Sequence, residues 1–149
     1  MKIALASDHA GYAEKERLKP LLRELGLEVE DLGTASEESV DYPDYARKVA
    51  ERVADGEAQQ GVLVCSSGTG MAITANKVPG VRAAACYSVE IARNSREHNG
   101  ANVLALGSKT ISNDQMREIV RAWLTTDLTE DRHRKRVGKI EAIERQYQR

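Results

Sequence analysis

Strand-like and helix-like segments alternate along this chain, and that alternation constrains the fold more than any other feature. "KIALA" (residues 2–6) is short and apolar, and residues 12–25 carry apolar side chains at helical spacing with Gly26 just beyond. "LEVEDL" (27–32) alternates as a second strand, and Asp44 is placed to cap a helix running to about Asp55. "GVLVC" (61–65), "VRAAACY" (81–87) and "NVLALG" (102–107) read as three more strands. A short helix ending near Pro79 follows the third strand. Ser88 can cap a helix closed by "HNG", and residues 112–126 are amphipathic. Val137, Ile140, Ile143 and Tyr147 stripe one last helix. Strand then helix, five times, predicts one α/β domain over residues 1–149: a three-layer α/β/α Rossmann-like fold with a five-stranded parallel sheet in the order 2-1-3-4-5 and a C-terminal helix.

In such a sheet the ligand crevice opens at the C-terminal ends of strands 1 and 3, where the order reverses. The loops there are "SDHAG" (7–11) and "CSSGTG" (65–70). A Gly/Ser/Thr loop between strand and helix gathers unpaired N–H groups suited to an anion, and the same setting lowers a thiol's pKa. Three known chemistries fail on required residues. A Walker A loop needs lysine after its last glycine, and Gly70 is followed by Met71; "GTGMAI" holds half a dinucleotide fingerprint; a cysteine phosphatase needs arginine where Met71 stands. The residues alone leave two readings of Cys65 open, a small buried hydrophobe or a thiolate poised for chemistry.

Net charge is −1, so no overall field favours nucleic acid or an anionic membrane, although "RHRKR" (132–136) concentrates basic charge locally. No apolar run reaches the length of a membrane span, and the opening turns polar too soon for a secretory leader. Cys65 and Cys86 read as thiols of a reducing compartment, the cytoplasm. The three histidines are far apart in sequence and no ligand spacing is evident, so neither metal nor cofactor is expected.

Several long motifs then fall in a familiar order: "SDHAGY", "SVDYPDYA", the cysteine loop followed by "ITANKVPGVRAA", "SREHNGANVLALG" and "DRHRKRVGKI". Together they resemble the ribose-5-phosphate isomerase B family, which includes the galactose-6-phosphate isomerase subunits. The resemblance implies a cofactor-free aldose–ketose isomerase of sugar phosphates, with sites at the interface of a homodimer, in some assemblies a tetramer. It assigns Cys65 as the base that moves a proton between sugar carbons C2 and C1, and His98 as the residue that helps open the furanose ring. Asp8, His9, Ser66, Ser67, Gly68, Thr69, Gly70 and Asn99 match substrate-binding positions, and Arg132 and Arg136 match phosphate-binding arginines. Lys109 stands where an arginine is frequent, and Ser66 where a glycine is usual. Met71 replaces the glutamate base of a second branch and cannot take a proton, which leaves the task to Cys65.

The resemblance implies ribose 5-phosphate as substrate, with a six-carbon allose or galactose 6-phosphate as the alternative. A non-catalytic phosphosugar- or nucleotide-binding domain is the alternative from another class. His98 closes a helix running back from the ligand edge. If it is catalytic, a second subunit must deliver it.

Overall fold

The strands that read as most apolar occupy the middle of the sheet. In the computed structural model, which describes residues 1–148 and leaves Arg149 outside, β1 (Lys2–Ser7), β3 (Gln60–Cys65) and β5 (Val103–Gly107) lie side by side. β2 (Glu28–Asp31) and β4 (Ala83–Ala85) form the two edges, and every pairing is parallel. Side chains alternate between two apolar layers, as the two-residue period of a strand requires. Ile3, Leu5, Val62, Val64, Leu104 and Leu106 meet α1 (Tyr12–Glu24), α4 (Val89–Glu97) and α5 (Asn113–Leu124). Ala4, Ala6, Leu63, Cys65, Val103 and Ala105 meet α2 (Tyr42–Ala54) and α3 (Thr69–Ala75). Truncating a fully buried leucine such as Leu104 to alanine removes packing worth about 2–5 kcal/mol.

The α/β class holds, but the strand order is 2-1-3-5-4 rather than 2-1-3-4-5. The reason is handedness. Parallel crossovers are right-handed, so consecutive crossovers whose helices cover opposite faces must step in opposite directions. α3 packs on one face and α4 on the other, so β3 steps out to β4 and β4 steps back to β5. The exchange gives the fully buried central place to β5 and leaves the three half-buried alanines of β4 at the edge. The reversal between β1 and β3, where the crevice opens, is unaffected.

Local differences are small. α2 starts at Tyr42 with Pro43 in its first turn, so Asp44 lies inside the helix rather than capping it. The fourth strand is shorter than residues 81–87, and Cys86 follows it. Ser88 does cap α4, accepting from the Ile91 N–H at 3.1 Å. The last helix, α6 (Asp131–Tyr147), buries His133 and Val137 but leaves Ile140, Ile143 and Tyr147 exposed by 45%, 59% and 76%. Beyond Val137, its apolar stripe is therefore left open to solvent. Among the described residues, no helix is long and apolar enough to cross a membrane.

Candidate active site

Cys65 ends β3 opposite Gly107 of β5, and the chain beyond both strands is tied into one platform. The Ser108 N–H donates to the Cys65 carbonyl at 2.8 Å and the Lys109 N–H to the Ser66 carbonyl at 3.0 Å. Gly107 lets the loops meet, because a Cβ there would lie 2.7 Å from the Ser67 carbonyl carbon. Gly68 turns the chain with φ +82°, a left-handed conformation that favours glycine. The turn aims the Gly68 N–H at the buried Cys65 Sγ, 3.1 Å away, an arrangement that stabilises negative charge on sulfur. The Thr69 N–H donates to the Ser67 hydroxyl at 3.3 Å. Gly68 and Thr69 are thus engaged within the loop, and the N–H groups of Ser66, Ser67 and Gly70 have no protein partner among the described residues. Ser66 fits without backbone strain, since among the described residues none other than glycine has positive φ.

Two further loops close on this platform. Asp8 follows β1, is buried, and accepts from the N–H groups of Ala10 at 3.0 Å and Gly11 at 3.1 Å through one oxygen. Its own N–H reaches the Val64 carbonyl at 3.2 Å. Gly11 permits that approach, because a Cβ on it would sit 2.5 Å from the Val64 oxygen. His9 Nδ1 accepts from the Val40 N–H at 3.1 Å, which assigns the proton of the neutral ring to Nε2 and makes that nitrogen a donor. Tyr42, at the start of α2, lays its ring against Gly70, where a Cβ would come within 2.5 Å. Loops 7–11, 39–42 and 65–70 therefore meet around the thiol.

Of the remaining predicted residues, His98 and Asn99 lie at the opposite edge. Arg82, preceding β4, donates from Nε to the carbonyls of Asn99 at 3.2 Å and Gly100 at 3.1 Å. Asn102 joins the starts of the strands, its carbonyl accepting from the Gly61 N–H and its N–H donating to the Arg82 carbonyl, both at 2.9 Å. His98 and Asn99 consequently sit at the N-terminal edge. Cys65 is a strand's length away, roughly 16 Å at about 3.3 Å per residue along β3. His98 stacks on His133 of α6, ring centroids 4.3 Å apart and planes 27° from parallel. Arg132 and Arg136 lie on exposed turns of α6, and Arg132 Nε donates to Glu130 at 2.7 Å. Lys109 reaches the cysteine loop through its backbone, with its side chain exposed. One chain thus places the predicted residues in two groups, around Cys65 and around His98.

Sequence reading missed His133, because nothing in "RHRKR" pairs it with a histidine thirty-five positions earlier. It also missed Arg82 and Arg96, which staple the turn after α4; Arg96 donates to the carbonyls of Ala101 at 2.5 Å and Thr126 at 3.0 Å. Met71 is fully buried in the apolar layer beneath the loop. Burial pushes the Cys86 thiol up, against a weak contact to the Ser95 hydroxyl, which suits a structural residue.

The family model described as Ribose/Galactose Isomerase matches residues 3–140. The chain is 47% identical over 145 residues to a putative sugar phosphate isomerase of Bacillus subtilis, covering 97% of each. It is 46% identical over 143 residues to ribose-5-phosphate isomerase B of Escherichia coli, covering 96% of each. The structure of Clostridium thermocellum ribose-5-phosphate isomerase B superposes with a TM-score of 0.97 at 49% identity, over 99% of this chain and 100% of that one.

Proposed function

The chain belongs to the ribose/galactose isomerase family, and from that membership we propose that it is an aldose–ketose isomerase interconverting ribose 5-phosphate and ribulose 5-phosphate. The observation that carries the chemistry is the Cys65 sulfur, buried at the crevice of a parallel sheet with the Gly68 N–H aimed at it from 3.1 Å. Cys65 acts as the base. Its thiolate takes the proton from C2 of the open-chain aldose, and the electron pair moves to make the C1–C2 double bond while the C1 oxygen gains a proton. The proton on the C2 oxygen of the enediol then passes to the group that protonated the C1 oxygen, a carbonyl forms at C2, and the Cys65 thiol returns its proton to C1. Negative charge on the sugar oxygens meets the free N–H groups of Ser67 and Gly70 and the Ser67 hydroxyl. Asp8 and His9 Nε2 hold the sugar hydroxyls, with Ser66, Thr69 and Lys109 at the rim.

His98 opens the furanose ring, Asn99 orients it, and Arg132 and Arg136 fix the phosphate through charge-assisted bonds. His98 and Asn99 lie about a strand's length from Cys65, so the working enzyme is a homodimer whose sites each draw on both chains. The exposed stripe of Ile140, Ile143 and Tyr147 supports that assembly. So does a groove of about 400 Å³ between α6 and the β4 edge, which Ile140 and Asn99 help to line. The chain acts as a single domain over residues 1–149, and its two free thiols suit the cytoplasm.

The test is ribulose 5-phosphate formation from ribose 5-phosphate, in EDTA, by wild type and Cys65→Ala. Activity that falls roughly 10²–10⁴-fold in the variant is expected for loss of a proton-transferring base. Full activity in Cys65→Ala would remove the assignment. A folded wild type that turns over allose or galactose 6-phosphate but not the pentose would move the substrate to six carbons.

A further inference from the structure

The fold gathers a set of metal ligands that the sequence disperses. A ring nitrogen from each of His98 and His133 and a carboxylate oxygen of Glu97 lie within 4.8 Å of one another. His133 is buried, and its Nε2 has no hydrogen-bond partner; the Glu130 carboxylate stands 3.7 Å away, beyond bonding distance. A buried ring nitrogen left unpaired is an unmet demand for a donor, an acceptor or a Lewis acid. Two imidazoles and one carboxylate form the donor set preferred by zinc-class divalent cations, with a fourth position open to water. The two rings stack with centroids 4.3 Å apart, so their nitrogens are held close together. Side-chain rotation can close the set, since Glu97 and His98 end α4 while His133 lies in the first turn of α6.

We propose that Glu97, His98 and His133 form a binding site for a divalent transition metal of the zinc class, and that occupancy takes His98 out of the isomerisation. The site rests on the geometry alone. The inhibitory consequence rests on the reading of His98 as the ring-opening residue. The isomerisation derived above routes no step through a metal, so an ion bound here is a brake on the reaction. Glu97 has no part in the isomerisation as derived above, which makes it the variant that separates metal binding from catalysis.

The experiment uses the full chain, stripped with EDTA and dialysed, titrated with CoCl2 and followed by visible absorption, in parallel with ZnCl2 inhibition of isomerase activity. One Co²⁺ per chain with a ligand-field band and no sulfur-to-cobalt charge-transfer band is expected. Binding weakens roughly tenfold or more in Glu97→Gln and in His133→Ala and is unchanged in Cys65→Ala. Glu97→Gln changes only a half-buried side chain at a helix end, so it keeps the test open if His133→Ala fails to fold. Zinc inhibition that EDTA reverses, and that needs roughly tenfold more zinc in Glu97→Gln, supports the whole proposal. Cobalt bound with the expected ligands but no loss of activity upholds the site and removes His98 from the reaction. A charge-transfer band that disappears in Cys65→Ala, or binding indifferent to Glu97 and His133, overturns the site.

Discussion

At residue 68 two independent demands fall on one glycine. Its φ of +82° is strained for any side chain, and a Cβ would lie 3.1 Å from the Leu106 carbonyl carbon, an atom of the central sheet that cannot yield. Gly68→Ala is therefore expected to destabilise the protein by about 1–3 kcal/mol in urea unfolding. It should also lower kcat, because the same turn points the N–H at Cys65 Sγ. Ser66→Gly should do neither. Ser66 already has an ordinary backbone, so the expected change is a stability loss of no more than about 1 kcal/mol from the freer unfolded chain, with kcat retained. A large gain in kcat for Ser66→Gly would mean that the serine distorts the loop. The resemblance expects a glycine at that position, and only φ shows that the backbone accepts a serine there. Side-chain identity was legible there; backbone geometry was not.

Between elements, one ion cluster ties α1 to the β2 edge. Lys15 is fully buried, and its Nζ meets the Asp31 carboxylate oxygens at 2.8 and 2.7 Å. Lys19 Nζ lies 2.5 Å from the same carboxylate and 2.9 Å from Glu16. Burial pushes the Asp31 carboxyl up, but the bonds from Lys15 and Lys19 and the Gly33 N–H outweigh it, and the net direction is down. A depressed carboxyl stabilises the fold above its unfolded value of about 3.9, and that contribution is lost as pH falls through the lower folded value. Unfolding free energy should then drop more steeply with acid below about pH 4 in wild type than in Asp31→Asn. At neutral pH, Asp31→Asn should cost about 2–3 kcal/mol, less than for a fully buried pair because Asp31 keeps 29% of its side chain exposed. Lys15→Met should cost less than Asp31→Asn, because Asp31 keeps Lys19 and the Gly33 N–H while Asp31→Asn removes the charge that pairs the fully buried Lys15. Parallel acid curves for wild type and Asp31→Asn would sink this account. None of the cluster was visible beforehand, because Lys15 sits among polar residues of an amphipathic helix. The position of β5 was missed for a different reason. Periodicity finds strands, but their order follows from which face each crossover helix covers, and the alternating patterns of α3 and α4 do not say which face that is.

For the whole molecule, the fold class and every strand were legible, because buried parallel strands and amphipathic helices write their periods into the sequence. The candidate residues were legible as a roster, and the place of His98 at the far edge followed from the helix that it closes. Their division between two edges of the sheet depends on where α4 ends, and the pairing of His98 with His133 depends on how α6 returns across the sheet. That division makes the assembly testable through catalysis. If each site takes Cys65 from one chain and His98 from the other, Cys65→Ala and His98→Asn homodimers are each impaired at both sites. A mixed dimer places both lesions in one site and leaves the other intact. Random reassortment makes about half the dimers mixed, each with one of two sites working, so activity should return to about a quarter of wild type. Mixing the two variants after unfolding and refolding them together should show that recovery, and mixing them folded should show it only as fast as dimers exchange. Ile143→Glu in both variants puts charge on the exposed α6 stripe, and recovery should vanish as the dimer dissociates in sedimentation. Mixed dimers that form, by mass analysis of differently tagged chains, yet recover nothing would mean that Cys65 and His98 do not serve a common site.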